Sequence, residues 1–400
     1  MHSKPSFKPI LGYLSATGIS IGGIIGSGIF FIMGIATEEA GAAVILSLVL
    51  AGGIAVLTSL SFASLGSKIQ KEGGEYQFVY LSFGPKIGFA GGILWILSTS
   101  IAAVTVSLAF ASYLTALIPG LDVRVTASLA CLGFMTIDTV GLRLSSTVNN
   151  ALVVVKVGIL AFFIIVGLPF VQPGHFQPFF DKGTDGLLSA AFLIFFAYAG
   201  FGKITAASEE VKDAFKNIPK AIITAVTICS ILYILTGLVA VGVVGPDTLS
   251  SASFRNAPLA YTMQSTGVTT AFLVVAIGAI TATASVLLIQ MLGLSRTIYA
   301  MSINNQLPPF LSAVHPRFRT PYRAEILMGI VMAVAAFFLD AKSVVTLTSL
   351  GILSYYALIN LAAVRLRNQK GTLNIHYLVP ILGFISSSAL VAYYLVSNLT

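Results

Sequence analysis

Apolar runs of about 20 residues recur from one end of this chain to the other, each long enough to cross a hydrocarbon core of about 30 Å as a helix. No water is available at that depth to answer a peptide N–H or C=O, so a spanning segment is either a helix or part of a closed barrel. Barrel strands need only about 10 residues of alternating polarity, and these runs do not alternate. Composition agrees: 56% of the 400 residues are hydrophobic and 9% are charged, against about a quarter charged in soluble domains. Mean hydropathy is +0.95. The chain is predicted to be an all-α integral membrane protein. Its spans fall at approximately 14–35, 41–66, 86–118, 124–142, 150–171, 186–206, 220–244, 271–300, 324–340, 343–365 and 376–398. The third and eighth exceed the bilayer thickness and imply tilt or extension beyond it.

The net charge of +8 follows the topology. With the N-terminus in the cytoplasm, the inside segments hold Lys4, Lys8, Lys68, Lys71, Lys86, Arg143, Lys212, Lys216, Lys220, Arg296, Arg317, Arg319, Arg323, Arg365, Arg367 and Lys370. The outside segments hold Arg124, Lys182, Arg255 and Lys342, and Lys156 and Lys203 remain within spans. The positive-inside rule therefore predicts a cytoplasmic N-terminus and an extracellular C-terminus for eleven spans in the cell membrane. The short basic stretch Met1–Pro9 leads into a long apolar run without a small-residue cleavage site, so a first span is expected there and not a removed signal peptide. Cys131 and Cys229 lie in apolar segments without CxxC or His spacing, so neither a metal nor a disulfide is expected, and no cofactor. The loops 171–186, 245–267 and 302–322 are polar connections, and no linker divides the chain into domains.

Two spans carry interruptions. The first reads Gly18-Ile-Ser-Ile-Gly22-Gly23-Ile-Ile-Gly26-Ser27-Gly28-Ile29-Phe30. Glycine disfavours a helix by about 1 kcal/mol per site, and five glycines fall here near mid-membrane. Gly18, Gly22 and Gly26 recur every four residues, a stripe that lets a neighbouring helix approach. Gly26-Ser27-Gly28 is not explained that way, because its glycines occupy two faces. Unwinding there would free N–H groups at the start of a second half-helix, where a carboxylate could be held. The sixth span carries a matching break in Phe196-Ala-Tyr198-Ala199-Gly200-Phe201-Gly202-Lys203, whose freed carbonyls could accept from an ammonium. Breaks in the first and sixth of ten core spans are where a five-plus-five inverted repeat puts its discontinuous helices. The first repeat would cover about 14–171 and the second about 186–365, with an extra helix at 376–398, all within one transmembrane domain over residues 1–400.

Four passages carry a resemblance. They are Gly26-Ser-Gly-Ile-Phe30, Gly73-Gly-Glu-Tyr-Gln-Phe78, and Phe196-Ala-Tyr-Ala-Gly-Phe201 with Ser208-Glu-Glu210 and Ile218-Pro-Lys220; the last runs from Ser295-Arg296 through Leu307-Pro308 and His315-Pro-Arg317 to Thr320-Pro321. In this order and spacing the chain resembles the amino acid–polyamine–organocation (APC) superfamily, and within it the proton-coupled prokaryotic amino acid transporters of broad specificity. The resemblance implies the inverted-repeat fold shared with the bacterial leucine transporter, and alternating-access transport of amino acids or related amines. It also implies that the substrate carboxylate meets the amides of Ser27 and Gly28, beside Gly26. The ammonium would meet the carbonyls of Ile24, Phe196 and Ala199, next to Gly200, with Phe201 as an aromatic gate. The partners implied are a small amino acid, a proton and the lipid bilayer; no nucleic acid is expected.

Lys156 stands in an apolar fifth span, where a charge costs about 2.5–3.5 kcal/mol on insertion scales and marks a functional candidate. Alternatively its stem could reach the interface, since Asn150 is only about 9 Å away at helical rise. The resemblance implies a third view: similar proton-coupled members place a lysine here where sodium-coupled relatives bind sodium, with Gly22, Thr281 and Ser285 as neighbours. Lys203 follows the sixth-span break and could line the inner route or pair with Glu209 or Glu210. Those glutamates read more simply as loop anchors among Lys212, Lys216 and Lys220, and Asp138 and Arg143 as structural groups. Many members with cationic substrates carry Asp or Glu directly after the Gly-Phe of span six. Here Gly202 takes that place, no other acid lies mid-span, and Phe196, Tyr198 and Phe201 would wall the pocket, so a neutral amino acid is expected.

Rival classes fit less well. A channel needs a polar stripe or charged ring along a continuous pore, which the spans lack. An enzyme is not expected, because His2, His175, His315 and His376 lie in loops or termini without metal spacing. Exchange without ion coupling stays open as an alternative to proton symport.

Overall fold

The computed structural model describes residues 11–69, 74–141, 146–369 and 371–399. Lys4, Lys8, Lys71, Gly73, Arg143, Lys370 and His2 lie outside the described residues, as do the side chains of Ser208 and Glu209. The first span is helical in two pieces, α1 (Tyr13–Ile24) and α2 (Ser27–Ala40), and α3 (Val44–Gly66) is the second. Next come a short helix α4 (Gly74–Phe83), then α5 (Pro85–Leu117), α6 (Val123–Thr139) and α7 (Ser146–Gly167) as spans three to five. The sixth span is α8 (Gly183–Tyr198) continued by a 3-10 segment, Phe201–Glu210, and the seventh is α9 (Ala214–Val244). Three short helices follow, α10 (Pro246–Ser250), α11 (Ala252–Arg255) and α12 (Pro258–Gln264). The remaining spans are α13 (Ala271–Ile303), α14 (Tyr322–Phe338), α15 (Ala341–Arg365) and α16 (Leu378–Leu399).

Each of the eleven expected spans is thus a helix. Eight segments of the described residues are long and apolar enough to cross a membrane, and one of these, Tyr13–Gly66, contains both the first and second spans. The helices α6 and α14, of 17 residues each, stand at the lower limit of about 17 for a crossing. Two helix starts are set locally. The Asp122 carboxylate accepts from Val125 N at 2.9 Å to start α6, and Asp340 accepts from Ser343 N at 3.0 Å to start α15, each satisfying an amide that lacks a helical partner. Sequence reasoning left α4 and α10–α12 as connections. They are too short to give a spanning signal, and α10 and α12 begin on a proline that suits a first helical position.

Helices five spans apart pack on one another: α2 on α8, α3 on α9, α5 on α13, and α6 on α14. Other neighbours repeat with the same offset. The first span meets the fifth as α1 on α7, and the sixth meets the tenth as α8 on α15; α13 lies on α7 as α5 lies on α15. A contact pattern that maps onto itself after five spans is what two similar five-helix units give. Because five is odd, the second unit crosses in the opposite sense. The eleventh helix α16 packs on α15, α3 and α8, with the Tyr394 ring stacked on Phe192 at 3.9 Å between centroids.

Polar groups inside this bundle are joined across helices. Asn360 on α15 accepts from Ser61 Oγ at 2.7 Å and donates from Nδ2 to Thr58 Oγ1 at 3.1 Å and to Tyr356 O at 3.0 Å, all buried. At the far end of α2 two adjacent carboxylates take partners on different elements. Glu38 pairs with Arg255 of α11 at 2.7 Å and Glu39 with Lys342 of α15 at 2.5 Å. Replacing Asn360 with alanine removes the donor to Thr58 Oγ1 and the shorter of the two acceptors of Ser61 Oγ, which keeps Leu57 O at 3.4 Å; the expected loss is about 1–2 kcal/mol, read as a lowered midpoint of thermal unfolding in detergent.

Candidate functional site

The first span breaks where its glycines predict. The last regular bond of α1 runs from Ile25 N to Ile21 O at 2.8 Å. Ile25 then turns extended at φ −73°, ψ 94°, Gly26 adopts φ −136°, ψ −136°, and α2 begins at Ser27. A helix end leaves its final carbonyls without partners in its own ladder, and mid-membrane no water is present to replace them. Side chains from two other spans do so. Lys156 Nζ donates to Gly22 O at 3.0 Å, and Tyr233 Oη donates to Ile24 O at 3.0 Å.

The sixth span breaks opposite. After Tyr198, Ala199 is extended at φ −65°, ψ 152°, and Gly200 takes φ +107°, a conformation that side chains rarely adopt. A Cβ on Gly200 would also strike the carbonyl oxygen of Gly23, so at this point the two breaks touch backbone to backbone. A second close approach brings Gly28 onto the Cα of Ala197. The Tyr233 hydroxyl joins the two, since it also lies 3.2 Å from Ala197 O. A tyrosine carries one O–H proton, so it serves the two carbonyls in turn or shares it between them.

The residues singled out in the sequence are distributed around this junction. Ser27 is buried and, among the described residues, its Oγ has no hydrogen-bond partner; it opens α2, whose first N–H groups have no helical acceptors. Gly26 faces Val286 of α13, while Gly18 and Gly22 face Asn150 and Val153 of α7, so the four-residue stripe is a packing face as well. Phe196 O accepts from Ala199 N at 3.1 Å. Phe201 is fully buried, edge-on to Phe62 at 5.2 Å and tilted against Tyr356 at 5.3 Å. Tyr198 turns away from these rings and donates to Leu48 O of α3 at 3.0 Å. The Lys156 side chain is 2% exposed and its amine is turned inward onto α1 rather than out to the membrane surface. Gly22 is thereby brought to it. The hydroxyls of Thr281 and Ser285 bond to carbonyls of their own helix, those of Ile277 and Gly278 for Thr281 and that of Ala282 for Ser285.

Two participants were not identified from sequence. Tyr233 could have been suspected, since a buried tyrosine needs a partner for its hydroxyl, but nothing local says which. Glu75 was noted only as part of a motif. On α4, outside the spanning segments, it is 5% exposed, and neither carboxylate oxygen has a hydrogen-bond partner among the described residues. Its Oε1 lies 2.5 Å from where a Cβ on Gly202 would stand. Burial pushes its carboxyl up to about 8, against the opposing pull of the Lys203 ammonium. The Lys203 stem in turn lies 3.1 Å from a Cβ position at Gly23.

A bundle of long apolar helices with two facing helix breaks defines a multi-pass membrane protein. The sequence model of the amino acid permease family matches residues 11–399. A methylthioribose transporter of Bacillus subtilis (strain 168) is 32% identical over 94% of this chain and 85% of its own length. From the same organism, the branched-chain amino acid permease BcaP is 30% identical over 92% and 83%. A vacuolar cationic amino acid transporter 4 of Arabidopsis thaliana is 29% identical over 89% and 63%. The chain belongs to the amino acid permease family of the APC superfamily; it is a transporter, not an enzyme, with that superfamily's leucine-transporter-like fold. Tyr233→Phe removes the donor to two buried carbonyls, and a drop in detergent stability of about 1–3 kcal/mol is expected, measured by thermal unfolding followed through intrinsic fluorescence.

Proposed function

We propose that this transporter carries amino acids with uncharged side chains across the cell membrane by alternating access, with a proton as the coupling ion. The observation that carries the reading is the junction of the two broken helices. There the ends of α1 and α8 share Tyr233 while the buried start of α2 presents Ser27 and Gly28. In this reading a zwitterion enters between them. Its carboxylate takes the N–H groups of Ser27 and Gly28 beside Gly26, where the positive end of a helix dipole favours an anion. Its ammonium takes the carbonyls of Ile24, Phe196 and Ala199, displacing the Tyr233 hydroxyl from Ile24. Apolar walls around Phe196, Gly200 and Phe201 then suit a side chain without charge, in keeping with the branched-chain permease among the relatives.

Proton coupling rests on Lys156. Among the described residues its amine donates to Gly22 O, and that carbonyl belongs to the end of the helix proposed to hold the substrate. Losing or gaining a proton on this amine changes how firmly the end of α1 is held, which links charge to conformation. Thr281 and Ser285 stand on α13 as further candidates for the proton's surroundings. The two repeats, about 14–171 and 186–365, would move as paired halves of a single transmembrane domain, with the helix at 376–398 outside them.

The test is uptake into proteoliposomes from a panel of amino acids, with and without an inward proton gradient. Neutral amino acids are expected to accumulate in response to the gradient, and Lys156→Ala is expected to abolish that response while exchange across the membrane persists. Gradient-driven accumulation that survives the substitution removes Lys156 from the mechanism, and exchange without any gradient response supports an uncoupled exchanger. Orientation is tested separately. Both native cysteines are buried, so a cysteine at Lys182 should react with an impermeant thiol reagent on intact cells and one at Lys216 should not, as a cytoplasmic N-terminus and extracellular C-terminus require.

A further inference from the structure

Among the buried charged groups that the transport reading does not use, Glu75 stands beside the broken helices. Glu75 enters the site region from α4, a helix between the second and third spans, and its carboxylate fills the space that a side chain at position 202 would occupy. That position is two residues beyond the break at Gly200. The groups around it are aromatic and basic. The Gly202 Cβ position also meets Phe62, at 2.7 Å. The Tyr355 and Tyr356 phenols and the Lys203 ammonium are within electrostatic reach of Glu75, and Lys156 is within reach of Lys203. Tyr356 additionally receives Gly200 N at 3.4 Å, so the same ring touches both the carboxylate's surroundings and the break.

An isolated carboxylate buried this deeply, without hydrogen bonds, is costly to keep ionised. Lys203 is the nearest remedy that the sequence provides. No direct ion pair joins the two: among the described residues, the pairs within 4.0 Å are Glu38 with Arg255 and Glu39 with Lys342. Glu75 and Lys203 therefore face each other across a gap, and their charges sum to zero whether the proton rests on the carboxyl or on the amine. The Lys203 stem runs beside Gly23 of the first break, so this balanced pair borders both broken helices.

We propose that Glu75 and Lys203 together set the charge selectivity of the transporter: Lys203 cancels a carboxylate that would otherwise draw a cationic side chain into the site. Glu75 would then be an acid supplied from a distant helix to the place where Gly202 contributes none, and Lys203 its built-in counter-ion. The pair makes the site favour substrates whose side chain carries no net charge. Removing either partner leaves one sign in excess and changes which substrates compete. The inference rests on the amino acid transport reading and adds to it the residues that select the substrate class.

The experiment is competition against uptake of a labelled neutral amino acid in proteoliposomes, under counterflow and at alkaline pH, with arginine, glutamate and leucine as unlabelled competitors. In the parent protein leucine should compete and the two charged amino acids should compete weakly. In Lys203→Met, half-inhibition by arginine is expected at about tenfold lower concentration, the effect of about 1.4 kcal/mol of new attraction. Glu75→Gln, assayed instead at mildly acidic pH where the lone Lys203 amine holds its proton, should improve competition by glutamate. The double variant Glu75→Gln/Lys203→Met should return to the neutral preference of the parent. A single variant that fails to reach the membrane leaves the opposite one and the double variant to decide, with ligand-induced thermal stabilisation in detergent as a second readout. Unchanged ranking of arginine and glutamate in both single variants, with leucine still competing, overturns the proposal. A parent that exchanges no amino acid at all overturns the transport reading instead.

Discussion

Peptide groups released in the middle of a bilayer must find partners inside the protein, and this requirement organises the rest of the molecule. The end of α1 shows how it is met. Ile21 O keeps its helical donor, while Gly22 O takes the Lys156 amine and Ile24 O the Tyr233 hydroxyl. Each replacement comes from a different span, α7 and α9, so the break is stable only when those spans are in place. Unsatisfied groups in hydrocarbon cost several kcal/mol each, more than the one or two side-chain bonds that replace them contribute. The balance explains why the break lies against the sixth span, where the Gly23 and Gly200 backbones adjoin and lipid is excluded.

The same arithmetic makes the junction mechanically interesting. Tyr233 has one proton for two carbonyls, one on each broken helix. A ligand that brings its own N–H groups to Ile24 would free the hydroxyl for Ala197 alone, so loading the site alters the tie between the first and sixth spans. Under the proposed placement, substrate and hydroxyl would compete for the same acceptor. That competition is the kind of differential contact a two-state carrier needs, because a ligand shifts a conformational equilibrium only as far as it binds the two states differently.

Much of the fold was legible from sequence, and the reasons are specific. A span about 20 residues long announces itself by length, and each of the eleven expected spans is helical among the described residues. Gly26-Ser27-Gly28 and Gly200 marked the breaks because glycine is unfavourable in a helix and needed at a positive φ. Short elements were missed: α4 and α10–α12 are too brief to separate from loops by periodicity. The site was legible only in part, and distance along the chain is the cause. Tyr233 meets Ile24 across 209 residues, and Glu75 meets Gly202 from another element altogether. Neither contact leaves a local pattern, so a lone tyrosine in an apolar span and a glutamate in a loop motif look unremarkable until the helices are assembled.

The paired glutamates at the far end of α2 carry one more consequence. Glu38 and Glu39 grip opposite sides of the structure, the short-helix loop through Arg255 and the tenth span through Lys342. Both pairs are partly exposed, and exposed ion pairs contribute about 0–1 kcal/mol each, weakened further by dissolved salt. The side-chain bonds at the break hold the end of α1, whereas the tip of α2 is tied by two partly exposed ion pairs, like a gate with a weak catch. A catch of that strength is close to thermal energy, and the ionic strength of the surrounding fluid sets how tightly it holds.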